Sequence, residues 1–528
     1  MATVIDAGAA ARLIRDGDCV FFGGSGGGHA VPEAVIEALR DRYRQTASPT
    51  GITAASVVSI GDWETTGFNH LALPGLLRRV VTAGFNNCPK IAALAIDDQI
   101  EAYTLPQGVL SQLTRDMAAG RPGLVTRTGL HTFIDPRHGG GKQSPRTTED
   151  LVELVTIRGE EYLLFRSFAV NVAVIRGTTA DEDGNVSMEE EAFVGENFSI
   201  AAAARHNGGI VIAQVKRLAA AGTLAGRDVR VPKALVDYIV VAPDQLQTYG
   251  TAYSPAYAGR LRVPDRDIRP IPFDVRKVMA RRGAMELFPG AVVNLGFGVS
   301  NGISAVAAEE GFYRDLTLTV EQGVIGGIPA VGKDAGAGVN FDMLAAQPDQ
   351  FDFYDGGGLD IAFLSFAEVD ADGNVNVSRY HRSINGPGGF INISQGARRV
   401  VFSGTLTTGG LDAAPDGRGA LTIRREGEVR KWVPRVGQLT FSGRYARERG
   451  QEVLFITERA VFRLEPDGIV LTEIAPGVDL TTQVLAHIGF RPRIADNLRA
   501  MDGRLFTEQR MGLRADFLSR AGRASAAS

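Results

Sequence analysis

Two stretches of this 528-residue chain recur at one spacing, and that recurrence restricts the folds open to it more than any other feature. Val170-Asn171-Val172-Ala173-Val174-Ile175 leads to Asp183-Gly184-Asn185-Val186; Leu359-Asp360-Ile361-Ala362-Phe363-Leu364 leads to Asp372-Gly373-Asn374-Val375. The step from Asn171 to Asp360 and the step from Asp183 to Asp372 are both 189 positions. A β-branched apolar run followed by Asp-Gly-Asn is strand-then-turn chemistry, so strand and turn repeat in register. At the same offset Ile210-Val211-Ile212-Ala213 falls within one residue of Val400-Val401-Phe402. A second pair, Asp16 to Gly24 and Phe288 to Gly296, reads in both cases as turn, short buried strand and glycine-rich loop before a helical stretch.

Duplication accounts for these pairs: two α/β lobes, each an open, largely parallel sheet covered by helices. Residues 1–265 form the first lobe and 283–520 the second. The Arg- and Pro-rich stretch from Gly259 to Arg282 joins them, with 266–282 as linker and 521–528 as a disordered tail. From Gly17 to Gly184 is 167 positions, whereas from Gly290 to Gly373 is 83, so the first lobe carries about 84 extra residues, expected between about 45 and 150. Apolar content of 44% and charged content of 22% fit a globular enzyme, and a net charge of -4 offers no footprint for nucleic acid. No apolar run reaches the ~18 residues of a membrane span. Neither Cys19 and Cys88 nor the seven histidines show metal-ligand spacing. With no secretory signal visible and cysteine scarce, a cytoplasmic protein is expected.

The most informative local feature is Thr319-Val320-Glu321-Gln322-Gly323-Val324-Ile325-Gly326-Gly327-Ile328-Pro329. A glutamate ends a β-branched run and is followed by a glycine-rich apolar turn. An ionised carboxylate is costly to desolvate, and ligands of open α/β sheets sit beyond the carboxyl ends of the strands. Glu321 is therefore well placed as a nucleophile. Gly296-Phe297-Gly298-Val299-Ser300, which opens a helix after a strand, either offers free N–H groups to a phosphate or oxyanion or serves helix–strand packing. Gly386-Pro387-Gly388-Gly389-Phe390 is either an oxyanion-binding loop or a plain turn. Gly23 to Gly28 reads as a flexible ligand-facing loop, Asp135 to Lys142 as a mobile solvated one, and Glu189-Glu190-Glu191 as a solvated helix face.

With these residues in view, the chain resembles the family I CoA-transferases. The Glu321 motif is similar to the active-glutamate motif of the acetate/propionate branch; the ketoacid branch has Ser-Glu-Asn-Gly. Thr104-Leu105-Pro106-Gln107-Gly108-Val109-Leu110, Gly386 to Phe390, Thr457 to Phe462 and Glu473 to Gly477 agree in order. Gln322 departs from the small residue or Pro expected after the glutamate. The resemblance implies a fused chain with an α-subunit-like first lobe and a β-subunit-like second lobe. It further implies CoA transfer from an acyl-CoA to a short-chain carboxylic acid by ping-pong kinetics, with Glu321 becoming a glutamyl-CoA thioester. Gln107, Gly388 and Gly389 would be oxyanion donors, and Gly296, Phe297, Gly298, Val299, Ser300 and Gly386 would lie against CoA. No permanently bound cofactor and no metal are implied; CoA is substrate and covalent intermediate. A homodimer or homotetramer is expected. An acyl-CoA hydrolase on the same scaffold and a non-catalytic acyl-CoA or sugar-phosphate sensor are the competing readings.

Overall fold

The computed structural model describes residues 2–264, 270–296, 298–380 and 383–521. In the first lobe, β1 (Thr3–Ile5), β2 (Cys19–Phe22), β3 (Ile52–Ala55), β4 (Leu77–Thr82), β5 (Glu101–Thr104), β6 (Val172–Asp181), β7 (Ile210–Ala219) and β8 (Tyr238–Val241) form one sheet. Its order is β1-β8-β7-β6-β2-β3-β4-β5, and every pairing along it is parallel. All ten residues of β6 are buried. That continuous burial is what a parallel strand covered on both faces requires. Side chains of β2 alternate between two cores, Phe21 entering one and Val20 and Phe22 the other.

The second sheet comprises β9 (Val292–Leu295), β10 (Thr317–Val320), β11 (Val324–Ile325), β12 (Met343–Leu344), β13 (Ile361–Ser365), β14 (Arg399–Ser403), β15 (Glu452–Ile456), β16 (Ala460–Glu465), β17 (Gly468–Ile474) and β18 (Arg493–Ala500), in the order β12-β11-β10-β9-β13-β14-β15-β16-β17-β18. From β10 to β15 it is parallel. The repeat seen in the sequence is kept to the residue in the strands: β6 and β13 begin at Val172 and Ile361, and β7 and β14 at Ile210 and Arg399. The turns repeat as well. Asp181 accepts from the Gly184 and Asn185 amides and the Asn185 side chain, and Asp370 accepts from Asp372, Asn374 and the Asn374 side chain.

Several local expectations change. The extra length of the first lobe, expected between about 45 and 150, lies between β3 and β6. It supplies β4 and β5 to the main sheet, a helix starting at Gln107, and a small antiparallel sheet of Gly123–Thr126, Val152–Ile157 and Glu160–Arg166. Within the stretch expected as linker, Val275 to Arg282 is helical and packed. Its helix (Val275–Ala284) is capped by Asp274 and buries Val278, Met279 and Ala280. Arg281 donates to the carbonyls of Thr507 and Gln509, and Arg282 makes a two-pronged pair with Glu473 at 2.9 and 2.8 Å. The arginines that resembled a solvated linker are buried because these partners lie 191 to 228 residues further along the chain. Residues 265–269 and 522–528, which include most of the expected tail, lie outside the described residues.

The acidic run is no helix face. Glu191 is buried against Arg176, Glu190 pairs with Lys216, and Glu189 accepts from Ser187 and Thr179. Asp135 to Lys142 is likewise packed: Asp135 is fully buried and holds the Arg137 and His131 amides, while the Gly141 carbonyl accepts from Thr104 at the end of β5. One apolar core runs through both lobes, with Val109 and Tyr103 from the first and Phe351, Ile391 and Phe402 from the second. No helix among the described residues is long and apolar enough to cross a membrane.

Candidate active site

In the second sheet the chain passes from β9 to β10 on one side, then returns to β13 on the other. The crevice beyond the carboxyl ends of β9 and β13 is thus a topological switch point, where open α/β sheets bind ligands. A cavity of about 540 Å³ opens there, between the lobes. The second lobe contributes Gly296, Gly298, Asn301, Glu321, Gln322, Leu364 and Ser365; Ser59, Trp63, Asn86, Asn87 and Gln107 come from the first. Glu321 is the only ionisable side chain among the described residues lining it.

Glu321 directly follows β10, and its setting is fixed by the turn after it. Gly323 has φ +103°, and a Cβ there would stand 2.2 Å from the Ala345 carbonyl oxygen. The Gln347 side chain donates to the Glu321 carbonyl at 3.0 Å. Beneath it, Tyr354 donates to Thr319 at 2.8 Å and Thr319 to the Val293 carbonyl at 3.0 Å, so β9 and β10 are tied together by buried polar groups. The Glu321 side chain is buried, and its Oε2 has no hydrogen-bond partner among the described residues. Desolvation raises its pKa, opposed by its own backbone N–H and by the Gln322 side chain. The result is a carboxylate less stabilised than in water, as a nucleophile requires.

Gln107 and the 386–389 loop line the same cavity as this carboxylate, from opposite lobes. Gln107 is buried at the first position of its helix, and its Nε2 has no partner among the described residues. A Cβ on Gly388 would lie 3.9 Å from Gln107 Oε1, and one on Gly389 would lie 3.4 Å from Glu321 Cγ. Of the two glycines expected as donors, only Gly389 has an amide without a partner among the described residues; the Gly388 N–H donates to the Ala83 carbonyl at 2.9 Å. Gly386 has φ +78°, and a Cβ there would be 2.4 Å from Gly84 Cα, so this loop is packed backbone to backbone against the first lobe.

The expected CoA-facing loop divides. Gly296 and Gly298 line the cavity, but the Gly296 N–H donates to Phe363 at 2.8 Å. Val299 packs on the second lobe's core and Ser300 is buried, while Asn301 reaches the cavity instead. Phe297 lies outside the described residues. From the glycine run of the first lobe, Gly26 and Gly27 line the cavity; Ser25 does not. His29 is buried beside them and sits 3.0 Å from the Ala335 carbonyl, and burial lowers its pKa to about 4, so it is neutral and acts as a strut between lobes. Sequence reasoning missed Asn86, Asn87, Ser59 and Trp63. Asn86 and Asn87 follow β4 at its carboxyl end, a position that could have marked them had β4 been assigned to the main sheet. One carboxylate–histidine cluster that histidine spacing does not mark forms among the described residues: Glu33, Glu37 and His70 come within 4.8 Å. Its groups have protein partners, since Glu33 accepts from Gly67 and Tyr249 and His70 meets Arg40.

The family pattern described as Coenzyme A transferase matches residues 4–242. With relatives above 40% identity along nearly the whole chain, the protein belongs to the CoA-transferase family and is an enzyme of that type. Among those relatives are caffeate CoA-transferase of Acetobacterium woodii, 44% identical over 97% of this chain and 99% of that one, and acetate CoA-transferase YdiF of Escherichia coli K12, 43% identical over 96% of each. The crystal structure of the acyl-CoA transferase YdiF from Escherichia coli O157:H7 superposes with a TM-score of 0.93 at 42% identity, covering 97% of both chains. The same values hold for that enzyme in its thioester complex with CoA.

Proposed function

We propose that the protein moves CoA reversibly from a short-chain acyl-CoA to a free carboxylic acid, with Glu321 as the covalent carrier. The observation that carries this reading is the single buried carboxylate, with an unpartnered oxygen, in an inter-lobe cavity whose other described lining groups are neutral. Glu321 attacks the thioester carbonyl; the tetrahedral oxyanion collapses to an acyl-glutamyl anhydride and releases CoA thiolate. The thiolate then attacks the glutamyl carbonyl, leaving a glutamyl-CoA thioester and the free donor acid. An acceptor carboxylate runs the same steps in reverse.

A carboxylate nucleophile suits this exchange because the enzyme's thioester and the substrate's are close in energy. A serine ester would be more stable and would stall the cycle. The anhydride reacts with water, so a closed site is needed. Gln107 Nε2 and the Gly389 N–H, both without partners among the described residues, are the donors positioned to meet the oxyanion; each such donor contributes roughly 10²–10³ in turnover. With no ionisable side chain but Glu321 among the described cavity residues, stabilisation comes from fixed amide dipoles. Gly296 and Gly298 provide close backbone approach for the CoA arm. The relatives named for caffeate and acetate support carboxylic acids as the acceptor class, and Val58, Ala83 and Gly84 give the cavity a small apolar wall suited to short acyl groups. A cytoplasmic homo-oligomer with no resident cofactor completes the reading.

Initial rates with acyl-CoA and acceptor acid both varied should give parallel double-reciprocal lines. Intersecting lines would sink the covalent reading, and CoA release undiminished without acceptor would favour hydrolysis.

A further inference from the structure

The helix that carries Gln107 lacks a cap of its own. We label three helices for this argument: α1 (Gln107–Ala118), α2 (Gln347–Asp355) and α3 (Phe390–Gly396). The residue before α1 is Pro106, which has no side-chain acceptor for the exposed amides of the first turn. Those amides are met from the other lobe. The Gln107 N–H donates to the Gly388 carbonyl at 2.9 Å, and the Gly108 N–H donates to Asn392 Oδ1 at 3.1 Å.

Asn392 can accept from Gly108 only with its carbonyl facing α1, and the half-buried carboxylate of Asp355 at the end of α2 sets that orientation. Asn392 Nδ2 lies 3.0 Å from both oxygens of Asp355, which also accepts from Gln112 Nε2 at 3.0 Å. The chain of contacts is carboxylate, side-chain amide, backbone amide, and each link has one direction. Space is as tight as the polarity: a Cβ on Gly108 would be 2.3 Å from Phe351 Cδ1 and 2.5 Å from Asn392 Nδ2. The start of α1 therefore cannot slide along α3, whose N-terminal neighbour is Gly389.

From this geometry we propose that Asp355 and Asn392 are positioning residues which, from the second lobe, cap the first turn of α1 and so hold the Gln107 amide over Glu321 and Gly389. Neither touches substrate; both act through Gly108. The proposal rests on the reading of Gln107 as a transition-state donor and adds what fixes it across the lobe boundary. A displacement of about 1 Å in such a donor can cost on the order of 10²-fold in rate.

The test uses a reversal of hydrogen-bond polarity. Asp355→Asn lets the new amide present N–H groups to Asn392, which then turns its own NH2 towards the Gly108 N–H. Asn392→Asp places two carboxylates face to face. The double variant restores every link. The carboxylate introduced at position 392 accepts from Gly108 and from the NH2 of the amide introduced at position 355, whose carbonyl oxygen still accepts from Gln112. Turnover is measured per active site, counted by the amount of enzyme that acyl-CoA converts to covalent thioester, so that unfolded protein does not contribute. Each single variant is expected to lose roughly 10- to 100-fold in kcat with KM for acyl-CoA within about two-fold of the wild type, and the double variant to recover most of kcat. Singles that keep wild-type kcat per active site, or a double variant no better than the worse single, would overturn the clamp. Gln107→Ala separates the two levels. If it loses roughly 10²–10³-fold while the singles lose nothing, the clamp alone fails; if it loses nothing, the donor reading fails too.

Discussion

Replacing Glu321 by Gln removes the charge while keeping the shape, and it isolates what burial of that carboxylate costs the fold. Glu321 is buried, its Oε2 has no partner among the described residues, and desolvation raises its pKa. A buried unpaired acceptor costs about 1–3 kcal/mol. The sign of the pH dependence follows from the direction of the shift. A carboxyl whose folded pKa is raised contributes its stability fully below the unfolded pKa, and that contribution is lost as pH rises through the folded value. E321Q does not titrate, so it should equal the wild type near pH 4 and become increasingly the more stable of the two as pH rises to 8. For a lobe of this size each kcal/mol of that gap is a rise in Tm of roughly 2–4 °C. Thermal unfolding of both proteins at half-unit steps from about pH 4 to pH 8 reads the difference, and transfer activity should vanish in the variant. A variant less stable than the wild type at pH 8, or a gap that does not change with pH, would refute the claim that the active glutamate is held at the expense of stability.

Gly323→Ala should cost about 1–3 kcal/mol from its positive φ alone, and the clash with the Ala345 carbonyl should shift Glu321 and reduce kcat; denaturant midpoints and initial rates check both. Arg282→Met should destabilise the second lobe by about 1–3 kcal/mol, because it removes the buried partner of the half-buried Glu473 and Glu286, whose remaining ion-pair partners among the described residues are Arg499 and Arg399, as a urea titration would show. Glu196 lies buried against Ser111 with its pKa raised by burial to about 7. Its raised pKa means that stability is lost as pH rises from about 4.5 through 7, so E196Q should match the wild type at about pH 4.5 and gain about 3 kcal/mol at pH 8 with transfer unchanged, read by thermal unfolding at the two pH values.

What could be read from the sequence was whatever local chemistry encodes. The 189-position repeat identified β6, β7, β13 and β14 because strand propensity and Asp-Gly-Asn turns act within a few residues. Glu321 stood out because a charged group at the end of an apolar run has few structural reasons to exist. The features that escaped are non-local. Arg281 and Arg282 resemble a linker until carbonyls beyond residue 500 and Glu473 close around them. Glu191 looks solvated until Arg176, on a strand of the main sheet, is placed beside it. That Gly389 and not Gly388 keeps an amide without a partner among the described residues depends on Ala83, in the other lobe, and the amides of Gln107 and Gly108 find their acceptors only when the two lobes meet. Separation in the chain, not complexity of the chemistry, set the limit.

The central claim is that CoA becomes covalently attached to one side chain. Incubating the enzyme with acyl-CoA without acceptor, digesting it under mildly acidic conditions and measuring peptide masses tests it directly. The peptide containing Glu321 should gain the mass of CoA less one water, lose it on addition of a carboxylic acid, and stay unmodified in E321Q. An unmodified Glu321 peptide in an enzyme that still turns over, or the same adduct on another residue, would contradict the account.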